Sequence, residues 1–445
     1  MQQRHPCDTI KIADMIITFS IENWMSFREK TELSMLAGGE RRFNKRLPRI
    51  NNGKTRLLPI ASLYGGNASG KSNLFKAFKF IKNLATNPIP LGIDQEIPVN
   101  PYKLDDESLQ KPSCFELVFL VDETLYAYAF SATKTAIVSE TLTEIKSNQT
   151  ETLLFKRENN TFDFTGLCEK RAFKGREKTL DEMGSKTRNN VLFLHRAVDD
   201  NEHFFKPIYD WFDKTLVLIG PTDRSPMRPW YEINSENHER LVSSLRALDT
   251  GIDTVGVQNI SGISLDDIKQ NDKRLHAFIT NQPNFQSVIH PEGIQLKKTD
   301  SGLEATLLRT THTNHAGEPV NFKLTEESDG TQRLFELLPV LLMMKNHVVF
   351  IDEIDNSLHA LLTETLIRNY LYESHQDVRH QLIFTTHDLS LMDQSLFRRD
   401  ELWVTERDAT GASSLTSFSE YVGITPSTNL RKLYRLGRLG GTPKL

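Results

Sequence analysis

The sequence has few cysteines and no long apolar segment, and both absences exclude classes of protein. Its 445 residues include only three cysteines, which lie far apart and form no Cys-x-x-Cys pair: Cys7, Cys114 and Cys168. Such a set argues against a disulfide framework and a structural zinc site, and it favours a reducing compartment. No segment approaches the roughly 20 apolar residues that cross a bilayer. We therefore expect a cytoplasmic protein without a membrane segment.

The sequence also lacks an excess of one charge. It contains 54 lysines and arginines against 58 aspartates and glutamates, a formal net charge of −4. There is thus no global basic field that would attract nucleic acid. Hydrophobic residues make up 38% of the chain, enough for a sizeable core. The length fits two or three domains, or one domain with a large insertion.

A glycine-rich segment carries the strongest chemical signal. Gly65-Gly66-Asn67-Ala68-Ser69-Gly70-Lys71-Ser72 fits the pattern G-x-x-x-x-G-K-[ST], between an apolar strand and a helix predicted from about Ser72 to Leu84. Glycines let the backbone turn so that its N–H groups face phosphate oxygens. Lys71 is expected to neutralise the β- and γ-phosphates, and the Ser72 hydroxyl to bind Mg²⁺. The predicted nucleotide-binding residues here are Gly65, Asn67, Ala68, Ser69, Gly70, Lys71, Ser72 and Asn73.

An apolar segment that ends in two carboxylates provides a second signal. His347-Val348-Val349-Phe350-Ile351-Asp352-Glu353 predicts a buried parallel strand with both acids at its carboxyl end, where open α/β sheets bind ligands. Asp352 is expected to hold Mg²⁺ through its water shell. Glu353 is expected to polarise the attacking water and is the main catalytic candidate.

Two further segments point to phosphate chemistry. Ser328-Asp329-Gly330-Thr331-Gln332-Arg333 precedes a helix predicted over Leu334–Met343, with Ser328 as its N-cap and Gly330 permitting a close backbone approach. His387 follows the apolar segment Ile383–Thr386, where it is expected to contact the γ-phosphate or the attacking water.

The order and spacing of these segments resemble the ATP-binding-cassette (ABC) class of P-loop ATPases, in the branch of SMC and RecF-like proteins. The segment Ile21–Phe27 resembles the N-terminal strand of that branch, with Met25 where arginine is common. By this resemblance, the Walker A motif is Gly65–Ser72 and the Walker B motif is Val348–Glu353. The signature is Ser328–Arg333, the D-loop is Asp355–His359, and the switch histidine is His387.

A closer resemblance is to bacterial AAA-type ATP-binding proteins of the AbiL/RloA kind. It rests on Pro112–Glu116, Leu248–Ile252 and the tail Leu433–Pro443. Members of this group are typically encoded beside a second, often nuclease-like protein in phage-defence loci. The resemblance implies an ATP- and Mg²⁺-dependent switch protein that hydrolyses ATP and controls a separately encoded effector. The alternative is a RecF/SMC-like ATPase of DNA repair or chromosome maintenance.

The resemblance also implies the assembly. In such ATPases one subunit supplies the Walker motifs and another supplies the signature. Because this chain carries one set of motifs, we expect a head-to-tail homodimer or higher oligomer, with Ser328 and Gly330 acting from the partner.

The implied fold class is α/β, a P-loop NTPase of ABC/SMC-head type with a mixed β and helical insertion. We expect head segments at 15–90 and 321–445, and an insertion at 91–320 with β hairpins, then helices, then β structure. For residues 1–14 two alternatives stay open, a short disordered leader or a translation start at Met15. Nucleic acid is a possible partner, since Arg41–Arg56 contains seven basic and no acidic residues. Basic residues also occur near the C-terminus, and a solvated face is the alternative for both groups: Arg431, Lys432, Arg435, Arg438 and Lys444.

Overall fold

The fold is that of a computed structural model, which describes residues 14–86, 95–146, 148, 150–221, 225–260, 268, 270, 273–281, 287–290, 292–299, 302–343, 346–425 and 427–442. Apart from Asp14, the predicted leader lies outside the described residues. The chain divides into two compact units. The first contains 1–218, 345–354 and 371–445, and the second contains 219–344 and 355–370. The predicted insertion, 91–320, contributes residues to both.

The strands of the described residues are β1 (Met15–Glu22), β2 (Thr31–Ser34), β3 (Arg49–Ile50), β4 (Thr55–Arg56), β5 (Ile60–Tyr64), β6 (Ser113–Val121), β7 (Thr124–Ala132), β8 (Ile137–Ile145), β9 (Glu151–Glu158), β10 (Thr161–Asp163), β11 (Leu216–Ile219), β12 (Thr254–Ile260), β13 (Ser287–His290), β14 (Ile294–Thr299), β15 (Gly302–Thr313), β16 (Pro319–Lys323), β17 (Val348–Ile351), β18 (Gln381–Thr385), β19 (Leu402–Arg407) and β20 (Ser413–Ser417). The helices are α1 (Lys71–Thr86), α2 (Asp106–Gln110), α3 (Thr165–Cys168), α4 (Glu177–Lys186), α5 (Phe193–Asp199), α6 (Lys206–Asp210), α7 (Glu236–Ala247), α8 (Lys273–Asn281), α9 (Asp329–Met343), α10 (Ala360–Glu373) and α11 (Leu430–Arg435).

A largely parallel sheet forms the base of the first unit. Its strand order is β11-β17-β18-β5-β19-β20; β17, β18, β5 and β19 run parallel to one another, and β20 pairs antiparallel with β19. Every residue of β5, β17 and β18 is buried, which explains why these strands are short, continuous and mostly apolar. Because they are parallel, their carboxyl ends meet at one edge.

An antiparallel sheet in the same unit has the order β10-β9-β8-β7-β6-β1-β2. Strands β6 and β7 form one of the β hairpins predicted for the insertion, and they pair from Ser113 with Ala132 to Val121 with Thr124. Asp122 and Glu123 between them have φ values of 46° and 66°. Two left-handed residues give the turn the twist that a two-residue hairpin requires.

Helix α1 lies between the two sheets, and it confirms the helix predicted after the glycine-rich segment. The Phe78 ring contacts Phe19 of β1, with 4.0 Å between ring centroids. On the other side, Phe75 and Phe78 each pack against Phe350 of β17 at 5.3 Å. The core of the first unit therefore holds the amino end of α1 at the carboxyl edge of the parallel sheet.

The second unit combines helices with an antiparallel sheet in the order β12-β15-β14-β13, with β16 paired to β15. Trp230 packs on Phe335 of α9 at 4.4 Å and donates its indole N–H to the Phe335 carbonyl. We predict only strands and loops over 251–323, and α8 corrects this. Leu275 and Ile279, one helical turn apart, pack into the cluster around Leu296 of β14.

Among the described residues, no helix combines the length and apolar character needed to cross a membrane.

Candidate functional site

The glycine-rich loop between β5 and α1 is shaped by close backbone packing. A Cβ atom at Gly65 would collide with the side chains of Thr405 and Ser69, and it would lie 2.6 Å from the Thr405 carbonyl oxygen. Gly70 has a φ of +118°, which side-chain-bearing residues rarely adopt. The loop therefore needs glycine at both positions, as the predicted phosphate-binding turn does.

Lys71 turns back over this loop. Its Nζ atom donates to the carbonyl oxygens of Gly65 at 2.7 Å and Gly66 at 3.1 Å, and the residue is buried. Helix α1 begins at the same residue, with Asn73 N–H bonded to the Gly70 carbonyl. A buried ammonium and the positive end of a four-turn helix thus converge on one loop, which is the electrostatic arrangement that binds phosphate.

The two carboxylates follow β17 at the same edge of the sheet. Oδ1 of Asp352 accepts hydrogen bonds from the Ser72 hydroxyl at 3.3 Å and from the Thr385 hydroxyl at 2.7 Å. The Glu353 N–H donates to the Thr385 hydroxyl at 2.7 Å. The predicted Walker A serine and the two acids are therefore brought together.

Glu353 has an unusual backbone conformation. Its φ of 54° lies in the left-handed region, which costs a residue with a side chain about 1–3 kcal/mol. The bond between its N–H and Thr385 helps to hold this conformation. Such strained residues cluster at functional sites, because the surrounding structure must fix them.

Sequence reasoning missed Thr385. It is the last residue of β18 and fully buried, and it contacts both Asp352 and Glu353. The available signal was a hydroxyl residue at the end of an apolar strand two positions before His387. In a parallel sheet such a residue lies beside the end of the neighbouring strand.

Further side chains brace the glycine-rich loop. The Ser69 and Thr405 hydroxyls are 2.6 Å apart, and Thr405 also donates to the Tyr64 carbonyl at 3.2 Å. Asn73, a predicted binding residue, donates to the Ser26 hydroxyl at 2.8 Å, and its carbonyl accepts from Trp24 Nε1 at 2.9 Å. The residues after β1 are thus tied to the beginning of α1.

A cavity of about 410 Å³ opens beside the loop. Ala68 and Asn73 line it on the loop side, Met25 and Tyr102 line it from the N-terminal part of the unit, and Arg407 lines it from β19. The Tyr102 hydroxyl donates to the Thr410 carbonyl at 2.7 Å. The walls therefore combine apolar atoms with a few fixed polar groups, which is typical of a small-molecule site.

His387 is exposed and lies two residues beyond the end of β18. Between them, the Thr386 N–H donates to the Leu63 carbonyl of β5 at 3.1 Å. The segment that carries His387 therefore leaves the same edge of the sheet as the glycine-rich loop. Its role as the switch histidine remains a prediction.

The predicted signature belongs to the second unit. Ser328 caps α9, since its hydroxyl accepts from the Thr331 N–H at 3.1 Å, and α9 begins at Asp329 rather than at Leu334 as predicted. A Cβ at Gly330 would lie 2.8 Å from the Ser357 carbonyl oxygen. The signature and the predicted D-loop thus meet within this unit, while the roles of Ser328 and Gly330 towards a nucleotide remain predictions.

Arginines of the predicted nucleic-acid segment form bonds within the chain. Arg42 donates to the Gln394 carbonyl at 2.8 Å, and Arg46 donates to the Leu396 carbonyl at 2.9 Å and contacts the carboxylate of Glu401. Burial raises the pKa of the Glu401 carboxyl to about 7. These two arginines therefore secure the 41–56 segment to the residues before β19.

The predicted basic residues near the C-terminus differ in their surroundings. Arg431 pairs with Asp393 at 2.9 Å. Lys432 and Arg435 lie in α11, and Arg438 lies three residues after its end. Lys444 lies outside the described residues. Nucleic acid as a partner remains a prediction.

Ser72 and Asp352 are the predicted Mg²⁺ ligands. Across the described part of the chain, no group of three or more His, Cys, Asp or Glu side chains is arranged to hold a metal ion. A hydroxyl and a buried carboxylate whose oxygens lie 3.3 Å apart nevertheless suit Mg²⁺, which keeps several waters and takes few protein ligands beside substrate phosphates.

Comparison with known proteins gives a family match. The sequence profile of the family described as "AAA domain, putative AbiEii toxin, Type IV TA system" matches residues 60–393. This range includes the glycine-rich loop, the signature, the two carboxylates and His387. No curated protein sequence matches the chain significantly.

Solved structures similar to the chain include the SMC head domain from Thermotoga maritima, at 12% identity and a TM-score of 0.35 over 91% of this chain and 98% of that chain. A second is the SMC head bound to the C-winged helix domain of ScpA, at 14% identity and a TM-score of 0.35, with the same coverage of each chain.

Proposed function

This chain belongs to the AAA domain family of the AbiEii type, and from this premise we propose that it is an ATP-hydrolysing switch protein of the ABC/SMC-head type. One observation carries the proposal: the glycine-rich loop, Ser72, Asp352 and Glu353 meet at one edge of a parallel sheet within one unit. Phosphate-binding and water-activating groups are thus within reach of one another, as hydrolysis of a phosphoanhydride requires.

The residues present fit ATP and Mg²⁺. Gly65 and Gly70 leave both ends of the loop without a Cβ atom, and Lys71 supplies a buried ammonium. Ser72 and Asp352 would hold Mg²⁺, which when bound neutralises charge on the phosphates. Glu353 would orient the attacking water and accept its proton, and His387 would donate a hydrogen bond towards the γ-phosphate.

The cavity beside the loop fits the base and ribose. It adjoins Ala68 and Asn73, so a nucleotide with its phosphates in the loop would extend into it. Met25, where related proteins commonly carry arginine, lines this cavity, and Arg407 of β19 lines it too. We assign to Arg407 the cationic contact that Met25 cannot make.

A second copy would complete each site. The signature segment forms the capped start of α9, and Ser328 and Gly330 would present this helix end to the γ-phosphate bound by the partner. ATP binding would then join two chains head to tail, and hydrolysis would release them. Such a cycle suits a switch that controls another protein.

The controlled protein is proposed to be a separately encoded effector in an anti-phage system. The AbiEii-type description of the family supports this role. The RecF/SMC-like alternative requires contact with DNA, and the bonds of Arg42 and Arg46 within the chain argue against their serving as such a contact.

Glu353→Gln tests the mechanism, because the amide keeps the shape of the side chain but cannot act as a base. We expect this variant to bind Mg-ATP without turnover, and its solution mass to rise from one subunit to two on addition of Mg-ATP. Glu364→Gln in α10, where the carboxylate pairs with Arg368 of the same helix at 2.7 Å, should retain turnover. A solution mass that stays at one subunit would contradict ATP-driven dimerisation, and so would a larger assembly whose mass does not change when Mg-ATP is added.

The biological role needs its own test. Cells that express the chain with its neighbouring gene should form fewer phage plaques, and Lys71→Ala should remove this protection while the exposed Lys76→Ala keeps it. Equal plaque counts with and without the pair would contradict the defence role. ATP turnover stimulated by DNA would instead support the repair alternative.

A further inference from the structure

The last described residues form a turn that no part of the proposed mechanism uses. Residues 436–442, here named the C-terminal glycine loop, follow α11 and contain Gly437, Gly440 and Gly441. All three have left-handed backbones, with φ values of 70°, 67° and 66°. The loop therefore has a defined shape that depends on glycine.

This loop packs against the start of the phosphate-binding loop. A Cβ at Gly441 would collide with the side chain of Val404 and would lie 2.9 Å from the Thr405 carbonyl oxygen and 3.4 Å from the Gly65 Cα. Gly65 also approaches Thr405 from its own side, as the clash of a Cβ there shows. The backbones of three residues thus pack directly on one another, with no room for an extra methyl group: Gly441, Thr405 and Gly65.

Two tyrosines fix the loop in this position. The buried Tyr434 hydroxyl donates to the Gly441 carbonyl at 2.8 Å, and the Tyr421 hydroxyl donates to the Leu439 carbonyl at 2.8 Å. Burial raises the pKa of Tyr434 to about 12, so this hydroxyl stays a donor throughout the neutral range. The side chain of Leu439, within the loop, is 2% exposed, which adds an apolar anchor.

Thr405 connects this packing to the nucleotide site. Its hydroxyl contacts the Tyr64 carbonyl at the end of β5 and the Ser69 hydroxyl within the loop. Any outward movement of the Thr405 backbone would therefore move both ends of the loop. The C-terminal glycine loop covers the same Thr405 backbone and restricts that movement.

We propose that the C-terminal glycine loop is a positioning element of the nucleotide site, with Gly441 holding Thr405 and Gly65 in the conformation that binds phosphate. This inference rests on the proposed binding of ATP. Under this proposal, residues 436–442 influence the affinity for nucleotide. Gly441 acts through Gly65 rather than by touching the nucleotide.

The test compares Gly441→Ala with Gly423→Ala. Gly423 has a similar φ of +83°, but nothing lies within 4 Å of a Cβ built there. Both variants therefore bear the backbone cost of a left-handed alanine, and only Gly441→Ala adds the collision. We expect the Kd for Mg-ATP, measured by calorimetry, to rise at least tenfold in Gly441→Ala and less than twofold in Gly423→Ala. Without nucleotide, Gly441→Ala should still unfold in one cooperative transition, at a lower temperature than Gly423→Ala because of the added collision.

A second variant guards against misfolding. Tyr434→Phe removes only the hydrogen bond to Gly441, and we expect it to weaken Mg-ATP binding about threefold. If Gly441→Ala folds and binds Mg-ATP like the wild type, or if it does not fold and Tyr434→Phe binds like the wild type, the role of the loop is wrong. The wild type is titrated first: no binding there would contradict the proposed function itself, whereas wild-type binding with unchanged variants would contradict only this inference.

Discussion

The Ser72 hydroxyl lies 3.3 Å from Oδ1 of Asp352, although 280 positions separate the two residues. Their meeting follows from the parallel sheet, in which β5 and β17 flank β18 and end at one edge. The same Asp352 oxygen accepts a shorter bond, 2.7 Å, from Thr385 at the end of β18. The start of α1 and the ends of β17 and β18 thus define the proposed metal position, and Thr385 of β18 donates to the carboxylate of Asp352.

Thr385→Val should impair turnover more than binding. Valine keeps the branched shape but removes the donor to Asp352 and the acceptor for the Glu353 N–H. Because Glu353 relies on that bond for its strained backbone, we expect kcat to fall roughly tenfold or more, since small misplacements of reacting groups are costly. The free energy of unfolding should fall by about 1–3 kcal/mol, the cost of leaving buried polar groups unpaired.

Thr385→Ser is the matched control, because it restores the hydroxyl and loses only a methyl group. Its steady-state ATP turnover should lie near that of the wild type. If valine and serine reduce kcat equally, the hydroxyl does not position Glu353.

Much of the site could be predicted from the sequence because its signals are local. The glycine-rich loop, the helix after it and the acids at the end of β17 each lie within one short segment, where the residue pattern reports both structure and chemistry. The resemblance to ATPases then ordered these segments. Ser328 as a helix cap is a local signal of the same kind, and the structure confirms it.

The remainder depends on contacts between distant segments, which no local pattern records. Residues 216–219 lie within a region of helical patterns yet form β11, since the edge of β17 offers them a pairing partner. Thr405 belongs to no motif, and the tail that contains Gly441 carries only a resemblance; the importance of both residues appears where their backbones pack on Gly65. Tertiary packing also decides the use of Arg42 and Arg46, whose local sequence equally suits a nucleic-acid contact.

Lys71→Ala should abolish binding of Mg-ATP. The variant removes the ammonium that lies against the Gly65 and Gly66 carbonyls, and with it the main neutralising charge of the loop. We expect the Kd to rise at least a hundredfold, a loss of about 3 kcal/mol in binding free energy. Lys76→Ala, on the exposed side of the same helix, should bind like the wild type in the same calorimetric titration. Retained affinity in Lys71→Ala would place the phosphates elsewhere.

Glu401 should make stability depend on pH. Its folded-state pKa of about 7 lies above the ordinary value of 4.5, because burial outweighs the attraction of Arg46. The folded state therefore binds the proton more tightly, and this group's contribution to stability is greatest below pH 4.5, falls as pH rises towards 7 and stays constant above it. Relative to Glu401→Gln, the free energy of unfolding of the wild type should fall by about 2–3 kcal/mol between pH 5 and 8. Urea unfolding at both pH values measures this, and parallel pH profiles would show that the carboxyl does not titrate as stated.

Gly330→Ala should separate ATP binding from dimerisation. The added Cβ would lie 2.8 Å from the Ser357 carbonyl oxygen, so the start of α9 must move away from the predicted D-loop. If this helix end serves the partner's nucleotide, each chain should still bind Mg-ATP within twofold of the wild type. In the Glu353→Gln background, however, the dimer should dissociate at least tenfold more readily.

Gly256→Ala in β12 is the control, because nothing lies within 4 Å of a Cβ built there. Sedimentation with and without Mg-ATP gives the comparison. A dimer of unchanged stability in Gly330→Ala would mean that the signature segment does not act across the interface.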